Sequence, residues 1–429
     1  MAPRDDAAGR RGDGTTYPGG LRATRMDSRN EPFRFEYLPT ELAFGRGCVG
    51  RLGATLAERG HSRALLVCGR NVGANEDVMA PVRSGLGDRL RSTFARTTPE
   101  KRLETVFEGA ERIRDGEADC VVAVGGGSSI NVAKAMCLVD ALDRPPADVV
   151  AEIRETGRLP APDPEVTVAP NVVVPTTLPG ADLSDGGGIS RGRSAASATD
   201  AGAGNPSASF ADRRLMPTAV FYDPALVATT PDDVLAASAM NGFDKGVETI
   251  YSRASTPISR AHAVEGLRYL RDALPELRGA TADDEALHRS VLGTALVQYG
   301  CQTNLVHAFG NGVSDVGGVH QGIAHGVVAP VVLRYVFDNA DAERHRLAEA
   351  LGVPTDGRSD ADLADAIVER VTAVARDLHL PERLRELDVE SAALPAMATA
   401  IVESRKHARN PPGVSPSREE VLDRLRAAW

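Results

Sequence analysis

A glycine-rich turn carries the clearest chemistry in this sequence. The apolar run Val121–Val124 leads directly into Gly125, Gly126 and Gly127, and Ser128 follows them. Glycines allow a backbone to approach an anion closely, and the first amides of a helix are free to donate hydrogen bonds to phosphate. A strand that ends in consecutive glycines before a helix therefore predicts a phosphate-binding loop.

The residues after this turn extend the prediction. Asn131 lies one turn into the expected helix, and Lys134 lies three residues further along. Side chains at this spacing share a helix face, so both are candidate contacts of a bound ligand. The competing interpretation is a tight strand–helix turn that binds nothing. The serines and the lysine that follow the glycines favour phosphate binding.

A second turn with polar side chains follows another apolar run. Thr176 and Thr177 come after Asn171–Val174 and Pro175. Their hydroxyl groups could bind a phosphate, a ribose or a carboxamide. A capped turn without a ligand explains the same residues equally well.

Three pairs of polar residues in the C-terminal half are spaced four apart. Residues at this spacing project from one face of a helix, so each pair could contribute to one polar pocket. Carboxylate and imidazole groups together suit Fe(II) or Zn(II). The pairs are Asp244 with Glu248, His307 with Asn311, and Gln321 with His325.

Two kinds of structure must position these residues. Short apolar runs at Arg63–Cys68, Asp119–Val124 and Asn171–Val174 indicate buried strands, and helical spacing at 98–115 and 128–138 alternates with them. This alternation predicts an α/β domain with a mainly parallel sheet. From Pro231 onward the pattern is helical, which predicts an all-α second domain.

We place the domain limits from composition. Residues 1–31 are rich in Arg, Gly and Asp and are expected to form a disordered tail. The α/β domain is expected to span 32–224 and the helical domain 225–429. The segment 185–217 is rich in Gly, Ser and Ala, which favours a loop or a loosely packed hairpin.

Bulk composition excludes several classes of protein. The chain has 429 residues, a formal net charge of −10 and an ordinary hydrophobic fraction of 42%, which argues against a nucleic-acid binder. Its five widely spaced cysteines form no CxxC pair, so a reducing cytoplasm fits better than a disulfide framework. Without a long apolar run or a signal peptide, no membrane association is expected.

The glycine turn resembles that of the iron-containing alcohol dehydrogenases, in the dehydroquinate synthase-like superfamily. The family carries Gly-Gly-Gly-Ser, an Asp three residues on, and then Ala-Lys; this chain matches except that Asn131 replaces the Asp. The resemblance implies a dinucleotide-binding α/β domain followed by an all-α domain. It also implies that the glycines and Ser128 hold the pyrophosphate of NAD(P), and that Thr176 and Thr177 contact the cofactor.

The same resemblance bears on the choice between NAD and NADP. Family members usually bind the adenosine ribose with an Asp at the end of an early strand. Here the strand ends at Gly69 and Arg70 instead. Loss of the carboxylate removes repulsion of a 2′-phosphate, and Arg70 could pair with it, so NADP is favoured. The alternative is that Arg70 is a solvated turn residue.

The family's metal is held by an Asp and three His. Asp244 and His307 match two of these positions, whereas Glu248 and Gln321 occupy the others. Three outcomes follow. A divalent metal, Fe or Zn, is retained by these four residues, with His320 or His325 in place of Gln321 as a variant. In the second outcome, the site is metal-free and Lys245 or a histidine polarises the substrate oxygen. In the third, the pocket has lost its redox chemistry.

The leading hypothesis is an NAD(P)-dependent alcohol dehydrogenase or aldehyde reductase, a homodimer by resemblance. It acts on an unidentified small molecule, and the altered pocket favours a biosynthetic intermediate over a simple alcohol. His325 or His320 could relay the proton. The rivals are a dehydroquinate synthase-like sugar-phosphate cyclase or lyase, and a catalytically silent nucleotide-binding homologue. Net consumption of reduced nicotinamide would separate the first hypothesis from both rivals.

Overall fold

A computed structural model describes residues 32–37, 39–178, 181–190, 207–281 and 283–429. The tail predicted at 1–31 lies outside these residues. The strands are β1 (Glu41–Phe44), β2 (Ala64–Gly69), β3 (Leu90–Thr97), β4 (Cys120–Gly125), β5 (Asn171–Pro175), β6 (Gly186–Ser190), β7 (Ser207–Ala211) and β8 (Ala219–Tyr222).

Helices α1 to α7 accompany these strands, and α8 to α16 follow them. The first group is α1 (Leu52–Glu58), α2 (Arg70–Ala74), α3 (Glu76–Leu86), α4 (Leu103–Asp115), α5 (Gly127–Leu142), α6 (Pro146–Thr156) and α7 (Pro224–Val227). The second group is α8 (Asp232–Tyr251), α9 (Pro257–Ala273), α10 (Glu285–Gln298), α11 (Leu305–Gly317), α12 (Gln321–Asn339), α13 (Arg344–Leu351), α14 (Asp360–Asp377), α15 (Leu394–Val402) and α16 (Arg418–Ala428).

A parallel sheet of six strands forms the N-terminal half, in the order β1-β8-β5-β4-β2-β3. Successive residues of a strand face opposite sides. Leu65 and Val67 therefore belong to one apolar core, while Leu66 and Cys68 belong to the other. Burial on both sides explains the uninterrupted apolar runs, and the predicted α/β domain with a parallel sheet is confirmed.

The outer strands were not evident in the sequence. β3 lies at one edge and alternates exposed polar residues such as Ser92 with the buried Phe94, while β1 lies at the other edge. β8 is apolar but only four residues long. Short or half-polar segments give too weak a pattern to indicate a strand.

The segment at 185–217 contains an antiparallel pair, β6 with β7, as the hairpin interpretation expected.

The remainder of the chain is helical, as predicted. α8 is buried along most of its length and packs against α9, α10 and α12. α11 packs against α12 and α15. This arrangement brings α8, α11 and α12 together, and these are the helices that carry the three polar pairs. In the described part of the chain, no helix has both the length and the apolarity to cross a membrane.

Candidate active site

The glycine turn forms an open helix terminus. β4 ends at Gly125, whose φ of +135° is strained for any residue with a side chain. Gly126 precedes the first turn of α5 in an extended conformation, and no described side chain caps the helix there. The first amides of a helix lack intrahelical partners. An anion at the start of α5 can therefore accept hydrogen bonds from free N–H groups and is stabilised by the positive end of the helix dipole.

The threonine turn lies beside this terminus. A Cβ added to Gly126 would be 3.2 Å from Cγ2 of Thr177, so this threonine borders the glycine turn. Thr176 is buried, and its backbone N–H donates to Gly125 O at 3.2 Å. The structure thus brings the two turns together, with Thr177 beside Gly126 and Thr176 bonded to the end of β4.

The third turn lies on the adjacent strand. β2 neighbours β4, and both end at the same edge of the sheet. Gly69 precedes α2 and lies near Thr97 and Ser129, whose hydroxyl oxygens are 2.6 Å apart. Arg70 is exposed. The predicted cofactor residues at 69–70, 125–128 and 176–177 therefore follow three neighbouring strands.

Lys134, a predicted ligand contact, is directed away from the glycine turn in the structure. Its side chain is fully buried, and the ammonium donates to Ala181 O at 2.5 Å and to Ser184 O. Burial lowers the pKa of Lys134 to about 8. Lys134 lies two turns into α5, which carries its ammonium away from the helix terminus and toward the loop that follows β5. Lys134 thus anchors this loop.

Asn131 also faces inward. A Cβ added to Gly187 would lie 2.5 Å from Asn131 Oδ1, so the amide packs against β6. This oxygen is buried and has no hydrogen-bond partner among the described residues. The structure therefore directs Asn131 toward the hairpin, whereas Gly126 and Gly127 remain at the open terminus.

We expect Lys134→Met to destabilise the protein by about 2–4 kcal/mol, because hydrogen bonds to charged groups each contribute about 1.5–3 kcal/mol. The thioether keeps the apolar stem and leaves both carbonyl groups without their donor. Urea unfolding measures the change. If Lys134→Met left stability unchanged but weakened NADPH binding, Lys134 would instead contact the phosphate directly.

A cluster of four buried ionisable side chains lies between α8, α11 and α12. Asp244, Glu248 and His325 have no exposed surface, and His307 is 3% exposed. The rings of His307 and His325 meet edge to face, with centroids 4.3 Å apart. Asp244, Glu248, His307 and His325 were all candidates from the sequence, and the structure brings them together.

Glu248 uses both carboxylate oxygens on His307. Oε1 accepts from the backbone N–H of His307 at 3.2 Å, and Oε2 contacts ring atom Nδ1. Burial raises the pKa of Glu248 to about 8; the His307 amide and the charge of Lys406 oppose this rise, and the charge of Asp244 adds to it. Burial, followed by nearby positive charge, lowers the pKa of His307 well below its usual range. Nε2 of His307 is buried and has no hydrogen-bond partner in the described part of the chain.

Asp244 and His325 form the other half of the cluster. Asp244 Oδ2 lies 3.1 Å from His325 Nδ1, although the two atoms are not aligned as a hydrogen bond. A Cβ added to Gly310 would overlap Nε2 of His325, so the backbone of α11 closes this edge of the ring. Burial raises the pKa of Asp244 and lowers that of His325 well below its usual range.

The remaining candidates have other partners. Gln321 donates to Asn311 Oδ1 at 2.5 Å, and His320 caps α12 by accepting from the Gly322 N–H at 3.2 Å. Lys245 donates to Gln298 Oε1 at 2.9 Å. Each of these three side chains is therefore held by a hydrogen bond to a residue outside the cluster.

These donors do not fit a resident divalent metal. Glu248 is directed at His307, Gln321 is bonded to Asn311, and one edge of His325 is closed. A structural or catalytic metal site needs at least three converging protein ligands. Among the described residues, no group of three or more His, Cys, Asp or Glu side chains is arranged to hold a metal ion.

The sequence did not point to a buried network at the junction of the two halves. Gln298 donates to Asp182 Oδ1 at 2.5 Å, and the Tyr222 hydroxyl donates to Asp182 Oδ2. Leu178 N donates to Ser238 Oγ on α8 at 3.2 Å. The loop after β5 therefore joins the glycine turn to the helical cluster. An isolated Asp among small residues was the only sequence signal.

Comparison with known proteins agrees with this arrangement. Residues 39–224 match the family model "Iron-containing alcohol dehydrogenase", and 235–429 match "Fe-containing alcohol dehydrogenase family, C-terminal". Maleylacetate reductase 2 of Cupriavidus pinatubonensis is 27% identical, covering 92% of this chain and 96% of that protein. Lactaldehyde reductase of Escherichia coli K12 is 25% identical, covering 90% of this chain and 97% of that protein.

Solved structures share the fold. A 1,3-propanediol oxidoreductase superposes with a TM-score of 0.80 at 21% identity, covering 92% of this chain and 100% of that one. Sulfoacetaldehyde reductase from Bifidobacterium kashiwanohense, solved with NAD+, superposes with a TM-score of 0.77 at 18% identity. The match covers 92% of this chain and 99% of that one. The chain belongs to the iron-containing alcohol dehydrogenase family and is an NAD(P)-dependent oxidoreductase of alcohols or aldehydes.

Proposed function

We propose that this protein transfers hydride reversibly between NAD(P) and a small alcohol or aldehyde, with His307 as the proton-exchanging group. The observation that carries the proposal is the buried Nε2 of His307, which has no partner among the described residues while Nδ1 is held by Glu248. A reacting hydroxyl or carbonyl oxygen would supply the missing partner. The pyrophosphate would bind at the start of α5.

The chemistry divides between cofactor and protein. NAD(P), when bound, would supply the acceptor for the hydride that leaves the carbinol carbon of the alcohol. As that C–H bond breaks, the hydroxyl proton passes to Nε2 of His307, and the C–O bond gains double-bond character. The resulting imidazolium is stabilised by the Glu248 carboxylate. Reduction of an aldehyde runs these transfers in reverse.

The loop after β5 supports the placement of both reactants. It borders the glycine turn through Thr177 and reaches α8 through Ser238, six residues before Asp244. Thr230 also donates to Thr176 O at 2.6 Å. A dinucleotide that binds along this loop would run from the start of α5 toward the helical cluster.

Turnover tests the proposal directly. Purified protein is mixed with NADPH or NADH and a panel of aldehydes and keto acids that includes lactaldehyde and maleylacetate, and absorbance of the reduced nicotinamide is followed. We expect net oxidation of the cofactor with at least one carbonyl compound. With a sugar phosphate added to the panel, its conversion without net change in NADPH would indicate a cyclase, and NADPH binding without turnover of any compound would indicate a silent homologue.

Arg70 is proposed to favour NADP. An exposed guanidinium at the end of β2 can pair with a 2′-phosphate. We expect Arg70→Asp to weaken NADPH binding by about tenfold or more, equivalent to about 1.4 kcal/mol, while NADH binding improves or holds. Arg51→Asp provides the control, because it makes the same charge change at an exposed residue beside β1, which three strands separate from β2. Equal effects of both variants on both cofactors would contradict a specific 2′-phosphate contact.

The family resemblance further supports a homodimer and a cytoplasmic location, which we include in the proposal. The net charge of −10 supports a small-molecule partner over nucleic acid.

A further inference from the structure

Lysine is rare in this chain, and no lysine is exposed. The sequence has four, at positions 101, 134, 245 and 406, and each is buried or half-buried. The ammonium groups of Lys134 and Lys245 are held by the loop after β5 and by Gln298. Lys406 lies in the short 3-10 helix Arg405–Arg409, which packs against α11.

The ammonium group of Lys406 lies at the start of α11. Its Nζ donates to Oγ1 of Thr303 at 3.0 Å. Thr303 directly precedes Asn304, whose side chain caps α11, and His307 belongs to the first turn of that helix. The residue before an N-cap lies against the first turn of its helix. The hydrogen bond to Thr303 therefore brings the ammonium group close to the turn that carries His307.

The electrostatic effects of Lys406 agree with this placement. Burial lowers the pKa of Lys406, and the charge of Glu248 raises it. Burial and His325 lower the pKa of His307, and Lys406 lowers it further. Lys406 thus acts on both halves of the Glu248–His307 pair, so its ammonium group belongs to the surroundings of the reacting site.

This ammonium group has hydrogen-bond donors that the protein does not use. A lysine ammonium has three N–H donors, and Thr303 accepts from one of them. Within the described residues, no carboxylate forms an ion pair with Lys406. Glu248 directs its two oxygens at the backbone and the ring of His307 instead. An anionic oxygen would accept a charge-assisted hydrogen bond from the remaining donors.

We propose that Lys406 binds a carboxylate of the substrate, so that the preferred carbonyl compound is an oxo acid and not a neutral aldehyde. The reacting carbonyl oxygen would face Nε2 of His307, and the carboxylate would accept a hydrogen bond from Nζ of Lys406. The inference rests on the proposed function, because it names the substrate class of the same site. Lys406 is a substrate-binding residue and takes no part in the transfer of hydride or proton.

Aldehydes with and without a negative charge test this carboxylate site. Succinate semialdehyde and adipate semialdehyde, which differ in length, are each compared with their methyl ester. In the natural protein, we expect kcat/KM for at least one acid to exceed that of its ester by about 10–100-fold, the factor that corresponds to a hydrogen bond to a charged group. In Lys406→Met, the KM for that acid should rise by about the same factor, whereas the KM for the ester should not change.

The ratio between acid and ester isolates the contact with the carboxylate. Because Lys406 also acts on His307, a change in kcat that is common to acid and ester belongs to that effect. Lys406→Arg keeps a positive charge and should keep the preference for the acid. Arg405→Met is the matched control, because it removes a positive charge from an exposed residue of the same short helix, and it should leave both substrates unaffected.

Binding of an alcohol tests the same site without turnover. Protein saturated with reduced cofactor cannot accept hydride, so γ-hydroxybutyrate and n-butanol are titrated into it by calorimetry. We expect γ-hydroxybutyrate to bind more tightly, and Lys406→Met should remove the difference. If no aldehyde is reduced but this difference persists, the proposed function fails and the carboxylate site stands. Equal binding of the two alcohols, or equal effects of Lys406→Met on acid and ester, would overturn the site and leave Lys406 to balance the charge of Glu248.

Discussion

Replacing Gly126 with Asp is expected to abolish cofactor binding while the fold remains stable. Gly126 precedes the first turn of α5, where no described side chain caps the helix. Asp is a favoured residue at this position because its carboxylate accepts from the free amides of the helix. The same carboxylate would occupy and repel the site of the pyrophosphate. We expect NADPH affinity to fall by about 100-fold or more, equivalent to about 2.7 kcal/mol.

Two further variants separate charge from bulk. Gly126→Asn has nearly the shape of Asp without its charge, and it should weaken binding less. Gly126→Ala adds only a Cβ, which would lie 3.2 Å from the flexible Thr177 side chain. Fluorescence titration with NADPH and thermal melting are measured on all three variants. Full NADPH affinity in a folded Gly126→Asp variant would refute this placement of the pyrophosphate.

The second large effect is expected at His307. The substitution His307→Gln removes the proton acceptor but keeps much of the volume and retains an NH2 group for Glu248. We expect kcat to fall on the order of 10³-fold, within the range for general acid–base catalysis, with the NADPH dissociation constant unchanged. Unchanged cofactor affinity is expected because the cofactor's pyrophosphate site lies on α5, in the other half of the chain.

His320 gives a matched comparison for this prediction. His320 is a candidate proton relay from the sequence, and in the structure it caps α12. His320→Asn preserves capping, because Asn is also favoured at this position. Activity should therefore stay near that of the natural protein. Strong loss in His320→Asn with retained activity in His307→Gln would transfer the proton-exchanging role to His320.

The sequence anticipated those parts of the site that consist of neighbouring residues. The end of β4, the three glycines and the start of α5 are adjacent in the chain, so their chemistry is visible there. Buried parallel strands are apolar on both faces, which made β2, β4 and β5 evident. The edge strands β1 and β3 lack this pattern.

The contacts between helices could not be predicted in the same way. Spacing showed that Asp244 and Glu248 share a face of α8, but only packing decides that Glu248 meets His307. Lys134 similarly follows a phosphate loop in sequence, yet the rotation of α5 directs it to Ala181 and Ser184. The choice of hydrogen-bond partner depends on distances between elements that are far apart in sequence.

A crystal structure with NADPH bound tests the central claim most directly. We expect the diphosphate to accept hydrogen bonds from the amides of Gly127 and Ser128 and the nicotinamide to extend toward His307. Diphosphate bound away from the start of α5, or a cofactor that never approaches the glycine turn, would contradict the account.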